Sequence, residues 1–343
     1  MKPNVAIIIL NWNGWKDTKE CLESLYQIDY PKYNVILVDN ASKDDSIKKI
    51  KDYCMGKLKV KSDFFIYNSN NKPIKILEFI KEELKNIKTI PYEFSDLSQN
   101  NKLIIIKNDK NYGFAEGNNI GIKFALNNLN PDYVLLLNND TVVNKDFLIE
   151  LVNIGESKEN IGIVGPKTYY YNFESKKNII GFAGGKLNLL KGTSSQIGAL
   201  EEDKGQYNNP KEVGYVEGSC FLVKRKIFDR VGFLDSRYFA YWEEVDYCMR
   251  SLKLGYKSFY APKSTIWHKG GMSKNENYTF LITRNMFFFM KTNTTLKVYI
   301  TFLLYFFGFK FWFLFVYFLF YQKNYSNLKN FLIGIHNGLN QKD

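Results

Sequence analysis
Tyr133-Val-Leu-Leu-Leu-Asn-Asn-Asp-Thr141 is a run of five apolar or aromatic residues that passes without a break into three polar ones. A short apolar run bounded in this way reads as a central strand buried on both faces, its tip emerging at Asn138. Open α/β sheets bind ligands beyond the carboxyl ends of their strands, so Asn138, Asn139 and Asp140 stand where chemistry is expected. One carboxylate backed by two amides is an oxygen-rich donor set suited to a hard divalent cation such as Mg²⁺. The same three residues also compose an ordinary Asn/Asp turn. The rest of the chain has to decide between the two.

Working outward, Val5-Ala-Ile-Ile-Ile-Leu10 is a second buried strand, closed by the loop Asn11-Trp-Asn-Gly14. A helix carrying Cys21, Leu22 and Leu25 follows, over Thr18 to Tyr26. Asn34-Val-Ile-Leu-Val38 is the next strand, tipped by Asp39-Asn-Ala-Ser-Lys-Asp-Asp-Ser46, where Ser42 or Asp44 could cap a helix through Ile47 and Ile50. Buried strands alternating with helices predict a parallel, Rossmann-like sheet with right-handed crossovers. From about 55 to 101 the pattern loosens into a stretch that reads as an insertion at the edge of the sheet, with one helix from Pro73 to Ile87. Leu103-Ile-Ile-Ile106 resumes the sheet. Asn108 to Asn119 then reads as a glycine- and asparagine-rich loop opening a helix from Ile120 to Leu126. Gly113 and Gly117 would let backbone approach a ligand closely, and a helix N-terminus favours anions. The spacing is not GxGxxG, so no nicotinamide cofactor is implied.

After the central strand come a helix over Asp146 to Ile154, a strand over Ile161 to Pro166, and an irregular stretch as far as Pro210. Val213 to Val223 reads as a strand interrupted by Gly218-Ser-Cys220, Lys224 to Val231 as a helix, and Tyr256 to Tyr260 as a short strand. Between them Glu243, Glu244 and Asp246, set among aromatic residues, head a helix ending near Gly255. Three acids at a helix start are consistent with simple N-terminal charge pairing. A carboxylate in an aromatic pocket also has a raised pKa and makes a good general base. Ile266-Trp-His-Lys-Gly-Gly271 holds His268, one of only two histidines.

Composition narrows the function classes. The 343 residues carry a net charge of +12, which suits an anionic membrane surface or a phosphorylated small substrate. The lysines are scattered rather than gathered into a basic arm, which argues against nucleic acid. Four cysteines, far apart and without a CxxC pair, argue against a zinc site or disulfide framework and fit a reducing cytoplasm. Met1-Lys-Pro-Asn enters a strand directly, with no signal peptide, so an intracellular catalytic part is expected. Val298 to Tyr321 has one charge, Lys310, in 24 residues. That is long enough to span a bilayer, where ~20 residues suffice. An in-plane helix, a membrane-embedded hairpin or a buried dimer-interface helix are the alternatives, with membrane association favoured. Lys291, Lys297, Lys323 and Lys329 flank the run and suit anionic headgroups.

These pieces together resemble the family 2 glycosyltransferases, inverting enzymes with a GT-A fold, and most closely their rhamnosyltransferase-like branch. The matching stretches, in order, are Leu10-Asn-Trp-Asn-Gly14, Val38-Asp-Asn-Ala-Ser-Lys-Asp-Asp-Ser46, Asn111-Tyr-Gly-Phe-Ala-Glu-Gly-Asn-Asn119 and Leu137-Asn-Asn-Asp-Thr141. Gly218-Ser-Cys220, Trp242-Glu-Glu-Val-Asp246 with Arg250, His268 and Thr283-Arg-Asn285 complete the set. The resemblance implies a GT-A domain over residues 1–290, with an insertion at about 55–101, followed by an aromatic, membrane-associated helical region over 291–343.

It also implies roles. Asp39 would read the nucleobase, Asn11 would line the nucleotide, and Gly113 and Asn118 would shape the donor pocket with Asn139. Asp140 matches the last acid of the family's DxD motif, here Asn-Asn-Asp, and would hold Mg²⁺ or Mn²⁺ on the diphosphate with His268. Glu244 stands where the family carries its base, with Glu243 and Asp246 beside it. Arg250 and Arg284 would face acceptor or phosphate, or form ion pairs within the fold. The partners implied are a nucleotide-diphosphate sugar and a glycan or lipid-linked acceptor at the cytoplasmic face of the cell membrane, with homodimerisation open. Two rival readings stand beside it. A nucleotidyltransferase would want a glycine- and base-rich first loop, which Asn11-Trp-Asn-Gly14 is not. A sugar-nucleotide-binding scaffold without turnover would suit Asn138 and Asn139.

Overall fold
A computed structural model describes residues 2–87, 90–270 and 277–341. In chain order the first half comprises β1 (Val5–Asn11), α1 (Trp15–Leu25), β2 (Tyr33–Asp39), α2 (Ser46–Cys54), β3 (Lys75–Ile80), α3 (Tyr92–Ser95), β4 (Lys102–Lys107), α4 (Gly113–Asn128), β5 (Tyr133–Asn138) and β6 (Thr141–Val143). The second half adds α5 (Phe147–Ser157), β7 (Ile161–Tyr170), β8 (Ile180–Phe182), β9 (Gly185–Asn188), β10 (Thr193–Gln196), β11 (Lys211–Val213), β12 (Cys220–Lys224), α6 (Arg225–Val231), α7 (Glu243–Lys253), β13 (Lys257–His268) and α8 (Tyr278–Asn293). A rod from Leu296 to Tyr321 follows, built of α9 (Leu296–Tyr305), a π turn (Phe306–Lys310), α10 (Phe311–Val316) and a second π turn (Tyr317–Tyr321). The described chain closes with α11 (Tyr325–Asn340).

The main sheet runs β11-β13-β7-β12-β5-β1-β2-β4-β3, with β6 paired to β13 and β8 to β7. β5, β1, β2, β4 and β3 are parallel, as the alternation of buried strands and helices predicts. β12 inserts antiparallel between β5 and β7, making the sheet mixed. Each central strand buries both faces. Ile8, Val38, Ile106 and Leu136 point into one core, and Ile7, Leu37, Ile105 and Leu135 into the other. All four cysteines are free and buried.

Several expectations need correction. Pro73 to Ile87 is an edge strand, β3, followed by a 3₁₀ turn at Lys81–Asn86 rather than a helix. The open edge of β4 takes up Ile76, Leu77 and Phe79 in parallel register, and tertiary pairing wins over a mixed apolar spacing. The loop expected up to Asn119 is already helical from Gly113. The stretch between 167 and 210 is not irregular throughout: β7 reaches Tyr170, β8 pairs back on it, and β9 and β10 form a separate hairpin. The short strand at Tyr256–Tyr260 continues to His268, because a register shift between Ala261 and Thr265 absorbs Pro262. That continuation brings His268 into register with Thr141 on β6. Gly271 lies outside the described residues. Neither Ser42 nor Asp44 is the N-cap of α2, which is Asp45; Ser42 bonds to Asp39 instead.

Candidate active site
The carboxyl ends of β1, β2 and β5 lie side by side, with Asn11 opposite Asp39 and Leu10 opposite Asn138. Asp39 is buried and already organised: Asn11 Nδ2 donates to Oδ1 at 2.7 Å, Ser42 Oγ donates to the same oxygen at 2.6 Å, and the Ser42 N–H reaches Oδ2 at 3.0 Å. Oδ2 keeps capacity for a further donor. Asn11 thus fixes Asp39 as well as lining the loop. Asn40 ties this tip to the next loop, donating to Asn111 Oδ1 and the Gly113 carbonyl and accepting from Asn108 and the Tyr112 N–H.

The start of α4 serves packing rather than open anion binding. The Phe114 and Ala115 N–H groups both donate to the Phe239 carbonyl, so those helix-end donors are occupied. Gly113 sits at φ +76°, and a Cβ there would meet Phe239 at 2.5 Å; Gly117 packs against Leu10 rather than a ligand. Asn118 is buried and donates to the Phe114 carbonyl one turn back. Gly113 therefore holds the segment around Phe239, while Asn118 stays within its own helix.

Beyond β5, Asn139 turns back to α1, donating to Thr18 Oγ1 at 3.0 Å. That approach requires Gly14, where a Cβ would lie 2.5 Å from Asn139 Nδ2. Asp140 and His268 meet, with Oδ1 3.1 Å from Nε2, because Thr141 on β6 is in register with His268 on β13. Asn138 Nδ2 lies 3.4 Å from the same imidazole nitrogen. Burial works against charge on both groups, yet their mutual attraction prevails: Asp140 is held below the usual carboxylate range and His268 is raised. Among the described residues no three His, Cys, Asp or Glu side chains converge as a closed metal cage. One carboxylate oxygen and one imidazole nitrogen on one point form an open donor set. This fits a cation that keeps most of its positions for phosphate oxygens and water.

The third part is the start of α7. Phe239, Tyr241 and Trp242 all have φ between +65° and +76°, an unfavourable state for bulky residues and one that collects at functional sites. The Asn285 amide on α8 holds this segment by donating to the carbonyls of Tyr238, Ala240 and Tyr241 at 2.7–3.0 Å. Arg284 adds bonds to the carbonyls of Arg237 and Tyr238. Arg284 therefore clamps the loop through backbone carbonyls, a role within the fold. Arg250 makes the ion pair within the fold that was the alternative for it: its Nε pairs with Asp246 at 2.7 Å while its two Nη atoms cap the carbonyls of Val231 and Phe233. Asp246 also accepts from Asn293 and Tyr238, so both of its oxygens are engaged in the fold.

Glu243 and Glu244 differ from Asp246. Each has a buried Oε2 without a hydrogen-bond partner. Burial, reinforced by Glu244, drives Glu243 well above the ordinary carboxylate range; burial pushes Glu244 up to about 7. Two adjacent carboxyls with separated protonation behaviour are a mark of acid–base sites. Sequence reasoning missed Glu217, which precedes β12 beside Asn138, since the Asn138 N–H donates to the Ser219 carbonyl. Its Oε1 accepts from Ser219 Oγ at 2.6 Å, and its negative charge raises both His268 and Glu244. Glu217 thus acts through its charge on both the Asp140–His268 pair and the candidate base. Its signal was present as the lone acid of Val216-Glu-Gly-Ser219.

Sheet and cleft together define a GT-A protein: a mostly parallel Rossmann-like sheet whose strand ends carry an acid at the β5 tip and a carboxylate-headed helix after the antiparallel insert. The Glycosyl transferase family 2 profile matches residues 6–73 and 84–232, and the chain belongs to that family. It is 33% identical over 142 residues to the low-salt glycan biosynthesis hexosyltransferase Agl10 of Haloferax volcanii, across 41% of this chain and 43% of that one. It is 45% identical over 58 residues to an N-acetylglucosaminyl-diphospho-decaprenol L-rhamnosyltransferase of Mycobacterium tuberculosis, across 17% and 19%. The matches thus span less than half the length of these curated relatives. Among solved structures, the mannosyltransferase PcManGT from Pyrobaculum calidifontis, in complex with GDP-Man and Mn²⁺, superposes with a TM-score of 0.54. The identity is 13%, over 98% of this chain and 73% of that one, a likeness of fold.

Proposed function
We propose that the chain is an inverting glycosyltransferase that moves a sugar from a nucleoside-diphosphate sugar to a hydroxyl of a lipid-linked or cell-surface glycan, at the cytoplasmic face of a membrane. The observation that carries this reading is Glu244, whose buried Oε2 has no hydrogen-bond partner and whose carboxyl is pushed by burial up to about 7, coupled through the charge of Glu217 to the Asp140–His268 pair. Asp39, held by Asn11 and Ser42, accepts a hydrogen bond from the nucleobase through Oδ2. A divalent cation held by Asp140 and His268, when bound, neutralises charge on the departing diphosphate. Glu244 takes the proton from the acceptor hydroxyl, whose oxygen bonds to the anomeric carbon as the sugar–diphosphate bond breaks. The nucleoside diphosphate leaves with the electron pair, and a single displacement inverts the anomeric centre. Glu243, raised by burial and by the charge of Glu244, is disfavoured from adding a second negative charge beside the base. The relatives named for hexosyl and decaprenol-linked rhamnosyl transfer support a sugar-nucleotide donor and a lipid-linked acceptor.

The test is thermal stabilisation by a panel of UDP-, dTDP- and GDP-sugars with and without Mn²⁺, followed by transfer to a polyprenyl-diphosphate sugar. A ~100-fold excess of ligand over its dissociation constant adds about 2.7 kcal/mol. Metal-dependent stabilisation by one nucleotide class, lost in Asp140→Ala, is expected. A product anomer retaining the donor configuration would overturn the single displacement. Binding without any turnover would point to a sugar-nucleotide scaffold instead.

A further inference from the structure
The rod Leu296–Tyr321 is apolar on all sides, but only one side is covered. Phe302, Phe306, Lys310, Leu314 and Phe318 lie on its inner line, against α8 and α11. Leu296, Ile300, Leu304, Trp312, Val316 and Phe320 lie on the outer line and are exposed, Leu304 to 70% and Trp312 to 59%. Both lines step by four residues. On an α-helix of 3.6 residues per turn such a line drifts by about 40° per step. The two π turns, with their wider i→i+5 bonding, unwind the rod and counter that drift, so that one face stays on the protein and one stays outward.

An exposed apolar stripe of this length marks a docking surface. Three observations select its occupant and pose. First, residues 277–343 contain seven Lys and Arg and a single acid, Asp343. Two copies of such a surface would repel one another, whereas anionic headgroups would be drawn to it. Second, Lys310, the one charge from Val298 to Tyr321, turns away from the exposed face, with Nζ 3.6 Å from Met286 Sδ on α8, while Lys297 lies exposed in the rod's first turn. Third, α11, packed along α8 beside the rod, exposes Lys329, His336, Asn337 and Asn340. Those groups cannot enter hydrocarbon, so the rod cannot stand upright in a bilayer without parting from the protein. An apolar outer face with a polar body behind it is the pattern of an interfacial, in-plane helix.

The platform also connects to the catalytic cleft. At the turn of the β9–β10 hairpin, Gly192 is closed against Phe302, where a Cβ would fall 2.4 Å from the ring, and the neighbouring Leu190 is exposed. At its other end Gln196 Nε2 approaches Glu217 Oε2 at 3.5 Å, and the Gly185 N–H donates to the Tyr215 carbonyl. The hairpin thus runs from the rod to Glu217, the carboxylate whose charge acts on Glu244.

We infer that the outer face of Leu296–Tyr321, extended by the β9–β10 turn, docks flat on an anionic lipid bilayer, and that a lipid-borne acceptor reaches Glu244 along the β9–β10 hairpin. The second clause rests on the proposed transferase reading; the docking does not. The experiment uses the full chain with vesicles of phosphatidylcholine alone or with 30 mol% phosphatidylglycerol (about one lipid in three), read by co-flotation. Trp312 fluorescence is also quenched by lipids brominated at shallow or deep acyl positions, with Trp312→Phe as the blank. Flotation with anionic vesicles, weakened at least tenfold in Leu304→Glu/Trp312→Glu and reduced in Lys297→Glu/Lys323→Glu, is expected, with stronger shallow quenching. Circular dichroism melts of both variants guard against misfolding. Stronger deep quenching would overturn the in-plane pose. Light scattering that shows a dimer, dissociated by Leu304→Glu/Trp312→Glu and indifferent to vesicles, would assign the face to a second copy and overturn the lipid. Nucleotide-sugar binding without vesicles is read separately, so its failure would sink the transferase reading and leave the docking result standing. If transfer proceeds equally to lipid-linked and to free soluble acceptor on vesicles, the hairpin route is wrong.

Discussion

Glu244 makes two pH predictions with opposite beneficiaries. A base must lose its proton before it can accept one, so a carboxyl pushed up to about 7 should give a transfer rate that falls about tenfold per pH unit below that value and levels above it. Replacing Glu217 by Gln removes a neighbouring negative charge, so the limb should move to lower pH while the fold is unaffected; a pH–kcat/KM profile reads both. Stability runs the other way. The folded pKa lies above the unfolded one, so the native state binds more protons, and this contribution is lost as pH rises from 4.5 toward 7. At about 1.36 kcal/mol per pKa unit the penalty reaches at most about 3 kcal/mol, reduced because the residue is partly exposed. Glu244→Gln should therefore abolish transfer by about 10²–10⁴-fold yet unfold at higher urea than wild type at pH 8, with little difference near pH 4. A variant no more stable at pH 8 than wild type would mean that the carboxylate is not penalised by its site.

At the scale of elements, the segment before α7 is held against its own backbone preference by α8. The Asn285 amide serves three carbonyls, and Asn285→Ala leaves them buried or half-buried without that donor, at a cost of about 1–3 kcal/mol in urea unfolding. Because the strained residues can then relax, kcat should fall by more than KM changes, with donor binding nearly intact. An Asn285→Ala enzyme that loses stability but keeps kcat would make the clamp merely structural.

The same segment shows what a sequence can and cannot convey. The buried strands β1, β2, β4 and β5 were legible because two-sided burial writes itself as unbroken apolar runs, and their polar tips located Asp39 and Asp140. Pairings distant in sequence were not legible. Nothing local in Lys257–His268 announces a strand that bends past Pro262 to bring His268 onto Asp140, and nothing in Lys75–Ile80 distinguishes an edge strand from a helix. The Arg250–Asp246 pair is legible as an i,i+4 spacing, but the remaining partners of Arg250 and those of Arg284 are chiefly backbone carbonyls, which have no sequence signature.

For the whole molecule, the boundary expected at residue 290 falls inside α8, and the apolar core crosses it. Phe287 of α8 stacks edge-on with Phe302 and Phe306 of the rod at 5.3 and 4.7 Å, in one buried cluster that also takes in Ile8, Val38 and Val245. α11 closes on α8 through Gly334 and Gly338, where a Cβ would lie 2.9 Å from the Phe280 carbonyl and 2.7 Å from the Arg284 carbonyl. The contact at Gly338 sits on Arg284, the residue that clamps the loop before α7. We propose that the C-terminal helices and the sheet therefore fold as one cooperative unit. Truncation after Thr294 would uncover several large side chains, each contributing about 1.5–3 kcal/mol when buried, and should yield an insoluble or loosely packed chain that no longer binds donor. Gly338→Ala is the milder probe: α11 must shift, stability should drop by about 1–3 kcal/mol in a single transition, and kcat should fall with it through Arg284. A truncated chain that stays soluble, melts cooperatively and binds the nucleotide sugar as the full chain does would instead establish two separable units.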